Sequence, residues 1–447
     1  MRRFAKFPLA LLATFFPVAS ALVQPKFPPP DFESGYHFPV TTTPSARAAL
    51  LQYLDVGVLA LCLGVALFFI YGRRSRRGVF WLSLFSLGYF GFYRKGCVCP
   101  IGSPQNIVYA LFNSSYAAPV TVVAFFALPL FVALAAGRAF CAGVCPQGAL
   151  QDFFLVKPIK VPEWLEHGLG VIPFVFLGAG LAYAATGTGF VICRYDPFVP
   201  IFRLTGGVFI LSAGAAFLLV GMFVGRPYCR FLCPYGAMLK LSSFVSKWRV
   251  RVTPDVCVQC RLCENSCPYG ALRVPAADSA KPVAPLERVR LGWLLAALPL
   301  LIAAGVWAGT LLGPAASQLH PSVALADLYA RQQKNPAQYG PMTPEALSIA
   351  RAEQNPGAVL AIAVDLRRRF KLATALFGGW VGLVIGINLI ALSIRPRRDD
   401  FEPDRGACFA CARCFSSCPN ERSRLAPSAA LAAPALATKT LTARGGP

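Results

Sequence analysis

Histidine is nearly missing from this chain: its 447 residues hold three, His37, His167 and His320. A membrane cytochrome b holds haem between paired axial ligands inside the bilayer. None of the three histidines sits in the middle of an apolar run, and no Cys-x-x-Cys-His occurs, so the sequence argues against haem. Charge is scarce as well. Asp, Glu, Lys and Arg make up 14% of the chain against 56% hydrophobic residues, which is roughly half the charged share of a soluble protein. That shortage excludes an ordinary soluble domain and points to an integral membrane protein. Acid is the scarcer sign, with 20 Asp+Glu against 43 Lys+Arg and a net charge of +23. The cations come in short clusters beside apolar runs, the habit of cytoplasmic loops in membrane proteins rather than of a nucleic-acid-binding face. Also absent are a G-x-G-x-x-G after a strand, a P-loop and a Ser/His/Asp arrangement. The chain shows no site for substrate chemistry of its own.

Cysteine, by contrast, is plentiful. Twelve of the 16 lie in four tight motifs that each end in Cys-Pro, and such short spacing favours metal over disulfide. Two of the motifs share one grammar: Cys257-x2-Cys260-x2-Cys263-x3-Cys267-Pro268 and Cys408-x2-Cys411-x2-Cys414-x3-Cys418-Pro419. This is the spacing of bacterial ferredoxins with two [4Fe–4S] clusters, in which the fourth cysteine of each run ligates the other cluster. One cluster is then expected on Cys257, Cys260, Cys263 and Cys418, the other on Cys408, Cys411, Cys414 and Cys267. Arg261 and Arg413 lie inside the runs, either to raise the cluster potentials or as ordinary surface charges.

The expected organisation begins with a signal peptide or anchor at 1–21, basic at Arg2, Arg3 and Lys6 and ending Ala19-Ser20-Ala21. A Pro-rich external linker follows at 22–47. A five-helix membrane domain, 48–249, has spans at about 48–71, 78–93, 117–136, 168–187 and 206–225. Half of a ferredoxin-like module occupies 250–290. A transmembrane hairpin at 291–394 has spans at about 291–312 and 372–394 and an external loop at 313–370. The second ferredoxin-like half is 395–424, and 425–447 is read as a disordered tail. The fold class is therefore an α-helical integral membrane protein of about seven spans, with a small α+β two-[4Fe–4S] module split by a membrane hairpin. With Arg73–Arg77 taken as cytoplasmic, both cysteine runs fall on that same side.

The membrane domain holds an internal repeat. Gly137-Arg138-Ala139-Phe140-Cys141-x3-Cys145-Pro146-x-Gly148-Ala149 matches Gly225-Arg226-Pro227-Tyr228-Cys229-x3-Cys233-Pro234-x-Gly236-Ala237. Membrane repeats commonly build a shared site at their interface. Cysteines four apart on a helical turn face one way, so Cys141, Cys145, Cys229 and Cys233 together would make a four-thiolate site. Packed structural cysteines and thiol exchange are the competing readings. Each copy has an upstream partner, Cys97-x-Cys99-Pro100-Ile101-Gly102 and Cys193-Arg194-Tyr195-Asp196-Pro197-Phe198. These are expected at the outer face, where Cys97, Cys99 and Cys193 would serve a metal or redox role, or a disulfide. Cys62 reads as a packed apolar residue, Asp55 as an intramembrane functional candidate or an exposed cap near the outer end of the first span, and His167 as structural, with a quinone site as the alternative.

Across about residues 48–275 these motifs resemble the NosR/NapH-type membrane polyferredoxins. The resemblance implies electron delivery toward a periplasmic reductase of the nitrous oxide or nitrate type, with a quinol or a cytoplasmic ferredoxin as donor and an external flavoprotein or reductase as acceptor. Larger members carry an external FMN domain. Residues 22–47 cannot hold one, and no S-G-A-[ST]-x-[ST] attachment motif occurs, so no flavin site is seen in this chain. The expectation is an inner-membrane, multi-pass iron–sulfur electron-transfer subunit rather than a stand-alone enzyme, with a cytoplasmic ferredoxin-like module and no nucleic-acid partner. A redox sensor or maturation factor without sustained flux, and a thiol-exchange or metal-handling protein, are the rivals.

Overall fold

A computed structural model of the protein describes residues 48–96, 100–114, 116–252, 257, 260–273, 275, 285–335, 338, 356–394 and 401–421. The segments 1–21, 22–47 and 425–447, together with Cys97 and Cys99, lie outside the described residues.

All seven expected apolar segments form helix. α1 (Ala49–Leu67) continues into a wider π-helical turn at Phe68–Gly72, and α2 (Arg76–Ser86) into another at Leu87–Tyr93. α3 (Ser103–Phe112), α4 (Val120–Ala136), α5 (Ala139–Gly143), α6 (Pro146–Phe153), α7 (Glu163–Leu169) and α8 (Ile172–Ala185) follow. Two short helices, α9 (Val191–Arg194) and α10 (Val199–Arg203), precede α11 (Val208–Gly221), α12 (Pro227–Phe231) and α13 (Pro234–Phe244). Among the described residues four stretches are long and apolar enough to cross a membrane: Ala49–Gly72, Glu163–Ala185, Val289–Ser317 and Leu360–Ser393. α4 and α11 are apolar but shorter. The 14 residues of α11 reach about 21 Å, against a hydrocarbon core of about 30 Å. Its exposed Val208 and Phe209, like Phe131 of α4, are what a lipid-facing helix presents.

The hairpin is made by α15 (Pro285–Ser317) and α17 (Pro356–Ser393), of 33 and 38 residues. At 1.5 Å per residue each exceeds the bilayer core. They pack through small residues: a Cβ on Gly305 would strike the backbone of Gly378, and one on Gly309 that of Thr374. The hairpin differs from expectation on its far side. The segment 313–370 contains α16 (Pro321–Lys334), with His320 accepting the Ser322 N–H as its N-cap. α17 begins well before 372, so Arg367, Arg368, Arg369 and Lys371 lie on a helix rather than in a loop, and Arg367 pairs with Asp327.

Beyond the bundle the two cysteine runs form one small unit. β1 (Leu272–Arg273) pairs antiparallel with β2 (Glu402–Pro403), matching Leu272 to Pro403 and Arg273 to Glu402. α14 (Leu262–Ser266) and α18 (Arg413–Ser417) occupy equivalent places in the two runs. Each follows a left-handed residue, Arg261 at φ 58° and Ala412 at φ 62°. That conformation is unusual for residues with a side chain, and here it turns the chain inside each Cys-x2-Cys-x2-Cys loop.

Candidate functional site

The two runs pack face to face. Cys263 and Cys418 are buried in one small core with Val252, Leu272 and Phe401, and Cys257, Cys267 and Cys414 border it. Cys408, Cys411, Cys414 and Cys267 instead line the edge of the large core that continues into the membrane bundle. Burial raises the Cys414 thiol well above its ordinary value, and Cys408, Cys411 and Cys267 lie close enough to raise it further. Cys408 is pushed up to about 12, again by burial first and then by Cys411 and Cys267. Cys260 is exposed, as is Arg261. The first group thus runs from exposed Cys260 to buried Cys263 and Cys418, whereas the second, with Cys411 buried and the others half-buried, adjoins the bundle.

The repeat supplies a third group. Cys141, Cys145, Cys229 and Cys233 are all buried, at 6–7% exposure. Burial pushes Cys229 up to about 12, opposed by Arg226 and reinforced by Cys141. Cys233 is raised well above its usual value by burial, then by Cys229 and Cys145. Gln151 Nε2 donates to Cys229 Sγ at 3.3 Å, and the Gly236 N–H donates to Cys233 Sγ at 3.3 Å. Two glycines open the way for the arginines of the repeat. A Cβ on Gly148 would stand 3.2 Å from the Arg226 guanidinium, and one on Gly236 3.2 Å from that of Arg138. Each arginine therefore lies across the other copy's Cys-Pro helix.

These arginines also reach the module. Arg138 sits over the Phe409 ring at 4.1 Å and donates to Gly406 O at 3.1 Å. Arg226 lies 5.4 Å from the same ring and 5.7 Å from that of Tyr269. Fully buried, it grips Asp152 with Nε at 3.1 Å and Nη2 at 2.9 Å. Asp152 also accepts from Tyr269 Oη at 2.7 Å and from Arg76 at 3.3 Å, with Arg413 at 3.7 Å. Burial alone would raise the Asp152 pKa. Arg226 first, then Arg413 and Arg76, hold it well below the usual carboxylate range. Arg74 pairs with Glu421 at 2.9 Å, and Arg76 donates to Cys411 O at 3.3 Å. Part of the Arg73–Arg77 cluster is therefore bonded to the second cysteine run. Of the two arginines inside the runs, Arg413 joins this network and Arg261 stays in solvent.

The segment around Cys193 departs from expectation. It was expected at the outer face, a bilayer's thickness from the repeat cysteines, yet it folds inward. Asp196 is buried and accepts from Gln147 Nε2 at 2.7 Å. Gln147, beside Cys145 and Pro146, accepts at its carbonyl from the same Gln151 that donates to Cys229. Phe198 stacks edge-on to Tyr228 at 5.1 Å. On the following side α11, at 14 residues, is too short to span the bilayer core, although Glu163–Ala185, which ends in α8, is long enough. Cys193 Sγ rests against Gly102, the end of the Cys97–Gly102 motif, and accepts from Gln105 Nε2 at 3.5 Å. Asp55 differs too. Of its two expected roles the exposed cap does not hold: it is buried, paired with Arg94 at 2.9 Å and bonded by Tyr89 Oη at 2.7 Å. Cys62 is a packed residue of α1, and His167 is half-buried, with its ring bonded to Glu163 O.

The donor set fits iron–sulfur clusters. Soft thiolates with few competing polar partners suit them. Among the described residues no three His, Cys, Asp or Glu side chains converge as they would on a single ion, for which thiolates on 2.3 Å bonds stand about 3.8 Å apart.

Comparison with known proteins agrees with this reading. A family profile described as a 4Fe-4S binding domain matches residues 118–162 and again 205–252, the two copies of the repeat. A second profile of the same description matches 249–272, around the first run. Protein NirI of Paracoccus denitrificans is 33% identical over 30% of this chain and 21% of its own length. Regulatory protein NosR of Pseudomonas aeruginosa is 28% identical over 49% of this chain and 34% of its own. Ferredoxin-type protein NapH of Escherichia coli is 25% identical over 41% and 66%. The chain spans only part of each of these relatives. No solved structure matches it.

Proposed function

We propose that this chain, which belongs to the NosR/NapH-type membrane ferredoxins, is an electron-transfer subunit that carries electrons between the ferredoxin-like module and the opposite face of the membrane domain through three thiolate groups in series. The observation that carries this is the continuity of those groups from an exposed edge into the core of the bundle. The exposed edge at Cys260 leads to Cys408, Cys411, Cys414 and Cys267, and those share one apolar core with Cys141, Cys145, Cys229 and Cys233. Cys257, Cys260, Cys263 and Cys418 would hold one [4Fe–4S] cluster, and Cys408, Cys411, Cys414 and Cys267 a second. The four repeat cysteines would hold a further iron–sulfur group. Such groups, when bound, take up and release single electrons. The chain's own residues keep the thiols dry and in order. Arg138 and Arg226 place positive charge between the second and third groups, which favours the reduced state of both.

The resemblance to the NosR/NapH-type membrane polyferredoxins supports the setting. A respiratory reductase system of the nitrous oxide or nitrate type would be served, with a quinol or a ferredoxin as donor and an external flavoprotein or reductase as acceptor. The module and the Arg73–Arg77 cluster would face the cytoplasm of the inner membrane. Thiol exchange is the weaker reading, because burial raises the thiols of Cys229 and Cys233 and so makes them poor nucleophiles.

Iron and sulfide analysis of the purified protein with EPR tests the scheme. About twelve irons fit three cubane groups and about eight the ferredoxin pair alone. Steady-state electron flux in reconstituted vesicles then separates a carrier from a sensor. Intact clusters without flux would sink the carrier reading.

A further inference from the structure

The connector between the membrane domain and the module carries three cations that the electron-transfer scheme does not use. Residues 246–252 read Ser-Lys-Trp-Arg-Val-Arg-Val. The chain is neither helix nor strand here: Ser246, Val250 and Val252 are buried, whereas Lys247, Trp248, Arg249 and Arg251 are exposed. Among the described residues none of the three cations has an ion pair. They rim a cavity of about 440 Å³ whose other walls are Leu67, Tyr71 and Trp248.

The position of this cavity is well defined. Tyr71 lies in the last turn of the first span, and its hydroxyl donates to Ala136 O at 2.7 Å, at the end of α4. The Trp248 N–H donates to Ala135 O at 2.9 Å. The cavity therefore sits where two apolar helices end together, on the face that carries Arg73–Arg77. On the same two helical segments Phe68, Phe131 and Leu134 are exposed apolar side chains. Trp248, 62% exposed, has the amphipathic ring favoured at the bilayer interface.

We propose that this cavity binds the phosphate headgroup of an acidic phospholipid, with Lys247, Arg249 and Arg251 around the phosphate and the acyl chains along Phe68, Phe131 and Leu134. Basic pockets between spans at one membrane face have the chemistry for such headgroups. The consequence is mechanical. Val252 lies in the core that buries Cys263 and Cys418, and Val250 in the core that continues into the bundle. A lipid bound at Arg249 and Arg251 would tie the module to the membrane surface beside its own core.

The test uses the full-length protein in phosphatidylcholine nanodiscs doped with labelled phosphatidylglycerol. Enrichment of that lipid around the protein is expected, and K247Q/R249Q/R251Q should weaken it by about tenfold or more. The control R368Q/R369Q/K371Q removes as many cations on α17 and should leave enrichment unchanged. K247R/R249K/R251K should retain it, and iron content checks that each variant is folded. If the glutamine variant loses iron, R249Q and R251Q singly should each still reduce enrichment. Equal enrichment in the glutamine variants overturns the proposal, as does an equal loss in the control. Displacement of the lipid by millimolar inorganic phosphate would identify a free-phosphate site instead, and no displacement is expected.

Discussion

The two copies of the repeat present the same thiols in the same frame, yet they hold the ferredoxin-like module by different means. Arg226 of copy two is locked to Asp152 of copy one, and that carboxylate gathers Arg76, Arg413 and Tyr269. At the position in copy two equivalent to Asp152 stands Lys240. Its pKa is lowered by burial first and then by Arg138. Arg138, the counterpart of Arg226, consequently has no acid from the other copy. It holds the module through the Phe409 ring and the Gly406 carbonyl instead. One arm is a buried ion-pair network and the other a cation–π contact. The repeat preserves the metal-ligand chemistry while its charge pattern has diverged to bind an asymmetric partner, two cysteine runs that are not interchangeable.

The largest expected effect falls on the ionic arm. Asp152→Asn leaves the fully buried Arg226 without its counter-charge and should cost about 3–5 kcal/mol, read as earlier thermal release of the module and faster proteolysis near 270 and 405. The pH dependence has a definite sign. The Asp152 pKa is lower in the folded protein than in the unfolded chain, so its contribution is complete above the unfolded value, about 3.9. It is lost only as pH falls through the lower folded value. Module seating in the wild type should therefore be flat from pH 8 down to about 5. A seating transition near neutrality would show that another group controls the contact.

Arg138→Gln should cost less, about 1–2 kcal/mol for the lost ring contact and hydrogen bond, and should lower the midpoint potential of the cluster nearest Phe409 in an EPR-monitored titration. An effect as large as that of Asp152→Asn would erase the proposed asymmetry. Lys240→Gln removes a cation beside Arg138 and should change stability by less than about 1 kcal/mol, with stabilisation the expected sign. The smallest effect concerns thiol reactivity. Burial raises Cys229 and Cys408 to about 12, so at pH 8 both are protonated when free of metal. After oxidative cluster removal, alkylation followed by mass spectrometry should label exposed Cys260 well before either of them.

Much of the site was legible because thiol chemistry is written locally. The Cys-x2-Cys-x2-Cys-x3-Cys-Pro and Cys-x3-Cys-Pro spacings name every cysteine that the described fold gathers around the module and the repeat. Asp152, Gln147 and Gln151 were not legible. Each is an isolated polar residue whose role exists only once helices distant in sequence meet. Hydropathy also misplaced the Cys193 segment, because an apolar run of 14 residues looks like a span although it is too short to carry its loop across the bilayer. The hairpin was found for the opposite reason: its apolar runs are long and uninterrupted. The start of α17 was missed because Arg367–Arg369 read as a loop, whereas a helix that outruns the membrane can carry cations on its exposed end.

The central claim is that the two cysteine runs cage their clusters jointly. EPR of the purified Cys418→Ser protein, with the two ferredoxin signals quantified separately, tests it most directly. The account predicts that the signal assigned to Cys257, Cys260 and Cys263 is lost or altered while that of Cys408, Cys411 and Cys414 persists. Damage confined to the latter would contradict it.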